Sequence, residues 1–341
     1  MNELVTRYKC EFRQKVVHML WSQWSSLGVY GSAVTTKKTG YVFDPDALLL
    51  FSLPFARYDA RLWDEILDWL SRHGYLINVQ RVKTLARTYA LGDMRFLAPV
   101  ATQLSSNVTY TAKWRSLATF TRNIHEEPLF YDDDEKSLPV VGPTDPIYKA
   151  GGFLRSPVSL RGMSKAFSKT DNASMLLRMR ALFGVSLRAE FLCALSAADS
   201  LYASEAARLI EYDKKSVQTA CADLVASGYV GIQPVEGREK RYYVRQPLAS
   251  TLATDKSRPI WLRWGSLYRA LELYYATLSL LENVTEPTVV ASELRKAVQT
   301  LAPYIALSGL SYPFSSREEL RGYEYLLEVH TKMHTICDKL S

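Results

Sequence analysis

The sequence has only four cysteines in 341 residues, and Cys10, Cys193, Cys221 and Cys337 are too scattered to form a C-x-x-C pair or a zinc-ligand spacing. That argues against a disulfide-stapled scaffold and a structural zinc site, and fits a reducing compartment. Long apolar runs are missing as well. The longest, at residues 47–56, is interrupted by Ser52 and Pro54 and is far too short to cross a bilayer. The opening MNELVTRYKCEFRQKVV lacks an apolar signal region and a small-residue cleavage site, so a cytoplasmic chain with no membrane contact is expected. No glycine-rich phosphate loop and no G-x-S-x-G elbow occurs. A protein that is not an enzyme is therefore expected, with no catalytic residues, metal or cofactor.

What is present is core-forming material. Hydrophobic residues make up 48% and charged residues 23%, a globular balance. The net charge is +7 and the pI about 9.1, which favours an anionic partner where the charge is clustered. The cluster lies at residues 149–188, where eight Lys/Arg face a single acid, Asp171. That local excess equals the net charge of the whole chain, so the remainder is balanced. Just ahead, EEPLFYDDDE at 126–135 holds six acids and no base, and 136–165 is rich in proline and glycine.

Helical periodicity dominates. Tyr8, Phe12, Val16, Met19 and Leu20 share one face, Asp44-Pro45-Asp46 opens a capped helix, and further helices are expected at 60–72 and 78–90. The C-terminal stretches 258–282, 288–308 and 315–339 repeat the pattern. The fold class is mainly α: a helical N-terminal domain at 1–125, an acidic loop and basic linker at 126–179, a winged helix-turn-helix at 180–247, and a C-terminal helical bundle at 248–341.

The central segment reads helix, helix, turn, helix, strand, turn, strand. Leu187, Phe191, Leu192 and Leu195 mark the first helix, and Ser204 is a plausible cap for a short second helix containing Ala206, Ala207 and Ile210. Asp213 caps a third helix, 214–227, whose Val217, Ala220, Cys221 and Leu224 face inward. Lys214, Lys215, Ser216, Gln218 and Thr219 then remain on the outer N-terminal half, the part of a recognition helix that enters the major groove. Lysines there can meet phosphates or guanine edges, and Gln218 can read adenine. A hairpin wing at 235–242 turns at Glu236-Gly237 and carries Arg238, Lys240 and Arg241, suited to phosphate or minor-groove contact.

The phrases RALFGVSLRAEFLCAL, ASEAARLIEYDKKSVQTACADLVASGYV and REKRYYV carry a resemblance to the MarR/ArsR-type winged-helix regulators of bacteria, over about a fifth of the chain. It implies a sequence-specific regulator of transcription, a repressor, that binds double-stranded DNA as a homodimer on a palindrome. Ser204, Lys214, Lys215, Ser216, Gln218, Thr219, Arg238, Lys240 and Arg241 are the expected DNA-binding residues. The dimer contact is expected in the C-terminal bundle, where Trp261, Trp264, Tyr274 and Tyr275 offer apolar area.

Other readings compete. A winged helix can serve as a protein-binding module, such as an antitoxin-like partner that neutralises an enzyme. Gly31-Ser32 followed by Asp44-Pro45-Asp46 imitates the paired carboxylates of nucleotidyltransferases, but Pro45 opposes the central strand that chemistry needs. His330, His334 and Cys337 share a helical face, where polar or core histidines are the simpler reading than zinc ligands. The acidic run 132–135 reads as a solvated loop, with docking on the basic linker as the alternative.

Overall fold

The computed structural model describes residues 2–31, 39–106, 111–119, 125–233, 240–246, 248, 258–310 and 320–341. Within them the chain is mainly helical, as expected. Helix α1 spans Glu3–Ser26, and α2 (Pro45–Phe55) starts at Asp44, whose carboxylate accepts from the amides of Asp46 and Ala47. Helices α3 (Ala60–His73), α4 (Val79–Tyr89), α5 (Met94–Ser105) and α6 (Thr111–Arg115) follow. A short α7 (Pro146–Ala150) precedes α8 (Met175–Phe183), α9 (Leu187–Ser196), α10 (Ala203–Ile210) and α11 (Lys214–Ala226). The C-terminal helices are α12 (Trp264–Leu281), α13 (Pro287–Ser308) and α14 (Gly322–Leu340). Seven short strands are β1 (Tyr41–Val42), β2 (Glu127–Pro128), β3 (Phe153–Leu154), β4 (Leu201–Tyr202), β5 (Val230–Gln233), β6 (Arg241–Val244) and β7 (Ile260–Trp261). They pair as β1 with β7, β2 with β3, and an antiparallel sheet in the order β4-β6-β5.

The apolar stripe of α1 needs a partner, and α12 and α14 supply it. Phe12, Val16 and Leu20 lie in one continuous core with Tyr274, Leu278 and Ile336, so the segments 1–125 and 248–341 bury their apolar faces together. The parallel β1–β7 pair joins the same two parts of the chain. This packing corrects the expected dimer contact. Trp264 and Tyr274 are inside the core and Trp261 is buried against α10, its indole donating to the Leu209 carbonyl. The Tyr275 hydroxyl donates to Glu135 at 3.1 Å and lies 3.3 Å from that of Tyr58. Trp261, Trp264 and Tyr274 are thus spent on the interior, and Tyr275 is half-buried. His330 is also interior: it stacks on Tyr8 and lies 3.0 Å from the Tyr274 hydroxyl. Burial lowers its pKa to about 3. Among the described residues no His/Cys/Asp/Glu group could hold a metal ion.

Segment 126–179 is turn-rich, as proline and glycine dictate, but it is strapped onto the helices. Asp68 on α3 accepts from the amides of Gly162 and Ser164 and from the Ser164 hydroxyl. Arg155 pairs with Asp64 at 2.8 Å, and Arg161 with the buried Glu65. The acidic run docks, though on α1 and not on the basic stretch: Glu135 pairs with Lys9 at 2.7 Å and Arg13 at 2.8 Å, both buried cations.

A second core is built mainly from α8–α11 and β5. Leu176, Phe191, Leu192, Ile210, Val217, Cys221 and Leu224 pack around Val230, joined by Val42 and Trp261 from the β1–β7 pair. Helix α8 thus completes this core from outside the expected boundary at 180.

Candidate nucleic-acid interface

Helix α11 forms because Asp213 accepts from the Ser216 amide at 2.8 Å, satisfying an orphan donor of the first turn, and Val217, Ala220, Cys221 and Leu224 turn inward. It ends at Gly228, whose φ of +80° is open to glycine without strain. The inward spacing leaves Lys214, Lys215, Ser216, Gln218 and Thr219 exposed.

Beside it, β6 pairs with β5 from Arg241 opposite Gln233 to Val244 opposite Val230. Lys214 and Gln218 of α11, Lys240 and Tyr242 of the wing, and Tyr202 and Ser204 at the start of α10 line one open pocket of about 380 Å³. Helix α11 and the residues at the start of β6 therefore share one exposed side. The side chains of Lys215 and Lys240 make no hydrogen bond or ion pair among the described residues. Arg238 and the wing turn at 234–239 lie outside the described residues.

Other expected site residues are more occupied than their sequence positions indicate. Arg241 donates to the Ser200 carbonyl at 3.0 Å, lies 4.7 Å over the Tyr202 ring, and is 3.9 Å from Glu205. It braces β4 against β6 in the observed arrangement. The Ser216 hydroxyl donates to Asp213 at 2.6 Å and that of Thr219 to the Lys215 carbonyl at 3.2 Å. Ser204 is half-buried and is not the cap of α10. That position belongs to Tyr202, whose amide donates to Glu205. Strand β4, the third member of the sheet, was not foreseen, because two residues are too short to show a period.

The turn before α11 is held from outside the segment 180–247. Glu211 adopts a left-handed φ of +64°, an unfavourable conformation for a side-chain-bearing residue. Its carboxylate lies 3.4 Å from Arg81 and 3.5 Å from Arg263, and accepts from the Tyr89 hydroxyl. Asn78 at the head of α4 donates to the Tyr212 hydroxyl at 3.1 Å. Gly265 leaves room for this clamp, since a Cβ there would come within 2.8 Å of the Tyr89 ring. Deeper in, Arg180 is fully buried between Asp46 and Glu190, each 2.6 Å away, and also donates to the Leu76 carbonyl. Asp44 lies 2.8 Å from Arg81, without the alignment of a hydrogen bond. Burial pushes the Asp44 carboxyl up to about 6 against the pull of Arg81. Asp44 and Asp46, the acids of the nucleotidyltransferase reading, are thus a helix cap and an ion-pair partner, and neither faces solvent.

Comparison with protein-family models, curated proteins and solved structures finds no match to this chain.

Proposed function

We propose that the chain is a sequence-specific double-stranded DNA-binding regulator of transcription that reads the major groove with α11 and touches the backbone with the wing. The observation that carries this reading is the shared pocket of Lys214, Gln218 and Lys240, which sets a helix N-terminal half and a basic hairpin strand side by side on an open face. Lys215 and Lys240 supply phosphate contacts, and Gln218 supplies a base contact. The repressor role and the palindrome-reading homodimer stay part of this proposal, with the dimer contact lying away from the buried aromatics.

The test is selection of bound duplexes from a random pool, followed by titration of the selected duplex and a scrambled one at graded salt. Tight binding of the selected duplex, weakened steeply by salt, is expected. Equal and weak binding of both duplexes overturns the reading.

One observation favours the protein-binding alternative. Leu182, Tyr229 and Ile232 are exposed on the winged helix, with Leu182 65% accessible. Purification from the native host with one stoichiometric protein and no DNA selects that alternative.

A further inference from the structure

The DNA contact need not stop at the winged helix, because the element that grips its turn is itself basic. Helix α4 reads VQRVKTLARTY and contains no acid. Its Val79, Val82, Leu85 and Tyr89 face the core, and Arg81 is consumed by Asp44 and Glu211. The opposite stripe is Gln80, Lys83, Thr84 and Arg87, at i, i+3, i+4 and i+7. Gln80, Thr84 and Arg87 are exposed and Lys83 partly so. The side chains of Lys83 and Arg87 make no hydrogen bond or ion pair among the described residues.

The position of α4 follows from bonds already described. Asn78 touches Tyr212 and Arg81 touches Glu211, immediately before Lys214 and Lys215 in the chain. The side-chain spans, the short run of chain and the helix rise together keep Lys83 and Arg87 within about 34 Å of Lys215, one turn of B-DNA. The acids at this junction are already engaged: Asp44 pairs with Arg81, Glu211 with Arg81 and Arg263, Asp46 with Arg180 and the Asn78 amide, and Asp213 caps α11.

We infer that the exposed stripe of α4 is a second duplex-DNA contact, in which Lys83 and Arg87 bind backbone phosphates flanking the groove occupied by α11. This rests on the proposed DNA reading and extends its footprint onto the helical body. Phosphate contacts of this kind position the protein and carry no base preference.

The experiment compares wild-type protein, Lys83→Ala/Arg87→Ala and Lys215→Ala/Lys240→Ala on the selected duplex, by fluorescence anisotropy over a series of salt concentrations. Removing two phosphate contacts lowers the slope of log affinity against log salt by roughly 1.8. The inference expects that loss in the α4 variant, with the preference for selected over scrambled duplex unchanged. An unchanged slope in the α4 variant, beside a lowered one in the Lys215/Lys240 variant, overturns the α4 contact and leaves the winged-helix reading standing. Unchanged slopes in both variants overturn the underlying reading as well. Circular dichroism melting of both variants checks that a weakened slope does not come from unfolding.

Discussion

Residues 149–188 carry eight cations against one acid, and the fold pairs several of them with acids, whereas the segment 180–247 is nearly balanced yet leaves Lys215 and Lys240 open. In the first region Arg155 meets Asp64, Arg161 meets Glu65, Arg180 meets Asp46 and Glu190, and Arg188 meets Asp223. Its acid partners come from other elements, so a charge count along the chain could not see them. In the second region two acids are spent locally, Asp213 capping α11 and Glu205 holding the start of α10, while Glu211 is clamped from outside by Arg81 and Arg263. Potential at a surface depends on which charges remain unpaired there, and a segment's net charge is a poor guide to it.

The largest effect expected from breaking this contrast is on stability. Arg180→Met leaves Asp46 and Glu190 buried without their cation and should destabilise the fold by about 3–5 kcal/mol. Urea unfolding followed by circular dichroism measures it. A loss under about 1 kcal/mol would mean that this arginine does not neutralise a buried pair.

A pH effect of similar origin is expected at Glu272 on α12. It is largely shielded from solvent, accepts from the Gly92 amide at 3.2 Å and lies 3.6 Å from Arg269, and desolvation pushes its pKa up to about 7. The folded state then holds a proton that the unfolded state releases above the ordinary glutamate pKa. This group's contribution to stability is full below that pKa, falls as pH rises towards about 7, and is flat above it. Glu272→Gln should therefore gain on wild type as pH is raised from 4 to 8, by on the order of 3 kcal/mol across the window. Parallel stability curves for the two proteins would remove burial as the cause.

A smaller effect sharpens the contrast within the basic residues. Arg155→Gln should cost stability while leaving the salt slope of DNA binding unchanged, since its guanidinium is 5% exposed and paired. Arg241→Ala should lose about 0.5–1.5 kcal/mol of stability through its bond to Ser200, and lower the salt slope less than Lys240→Ala does. If Arg155→Gln flattened the slope as much as Lys240→Ala, the basic stretch would be contacting DNA and the contrast would fail.

These expectations show what the sequence could carry. Local signals were legible: Asp44 and Asp213 as caps, Gly228 as a stop, and the inward spacing of Val217, Ala220, Cys221 and Leu224. Each depends on neighbours within a few residues. Long-range pairings were not legible. The apolar face of α1 could have been covered by any amphipathic helix, and only the structure pairs it with α12 and α14. Arg241 looked like a wing-tip phosphate ligand because its partners, Ser200 and Tyr202, sit forty residues upstream on a strand too short to announce itself. The same blindness made Trp264 and Tyr274 look like an exposed contact surface.

The central claim is that α11 and the wing act as one DNA-binding face. Its most direct measurement is a double-mutant cycle of Gln218→Ala and Lys240→Ala, read as affinity for the selected duplex and for the same duplex with single base changes. Two roles on one face predict that Gln218→Ala erases discrimination at one base pair, worth about 1–3 kcal/mol, while Lys240→Ala weakens every duplex alike. If neither variant alters affinity or discrimination, although both remain folded, the account is contradicted.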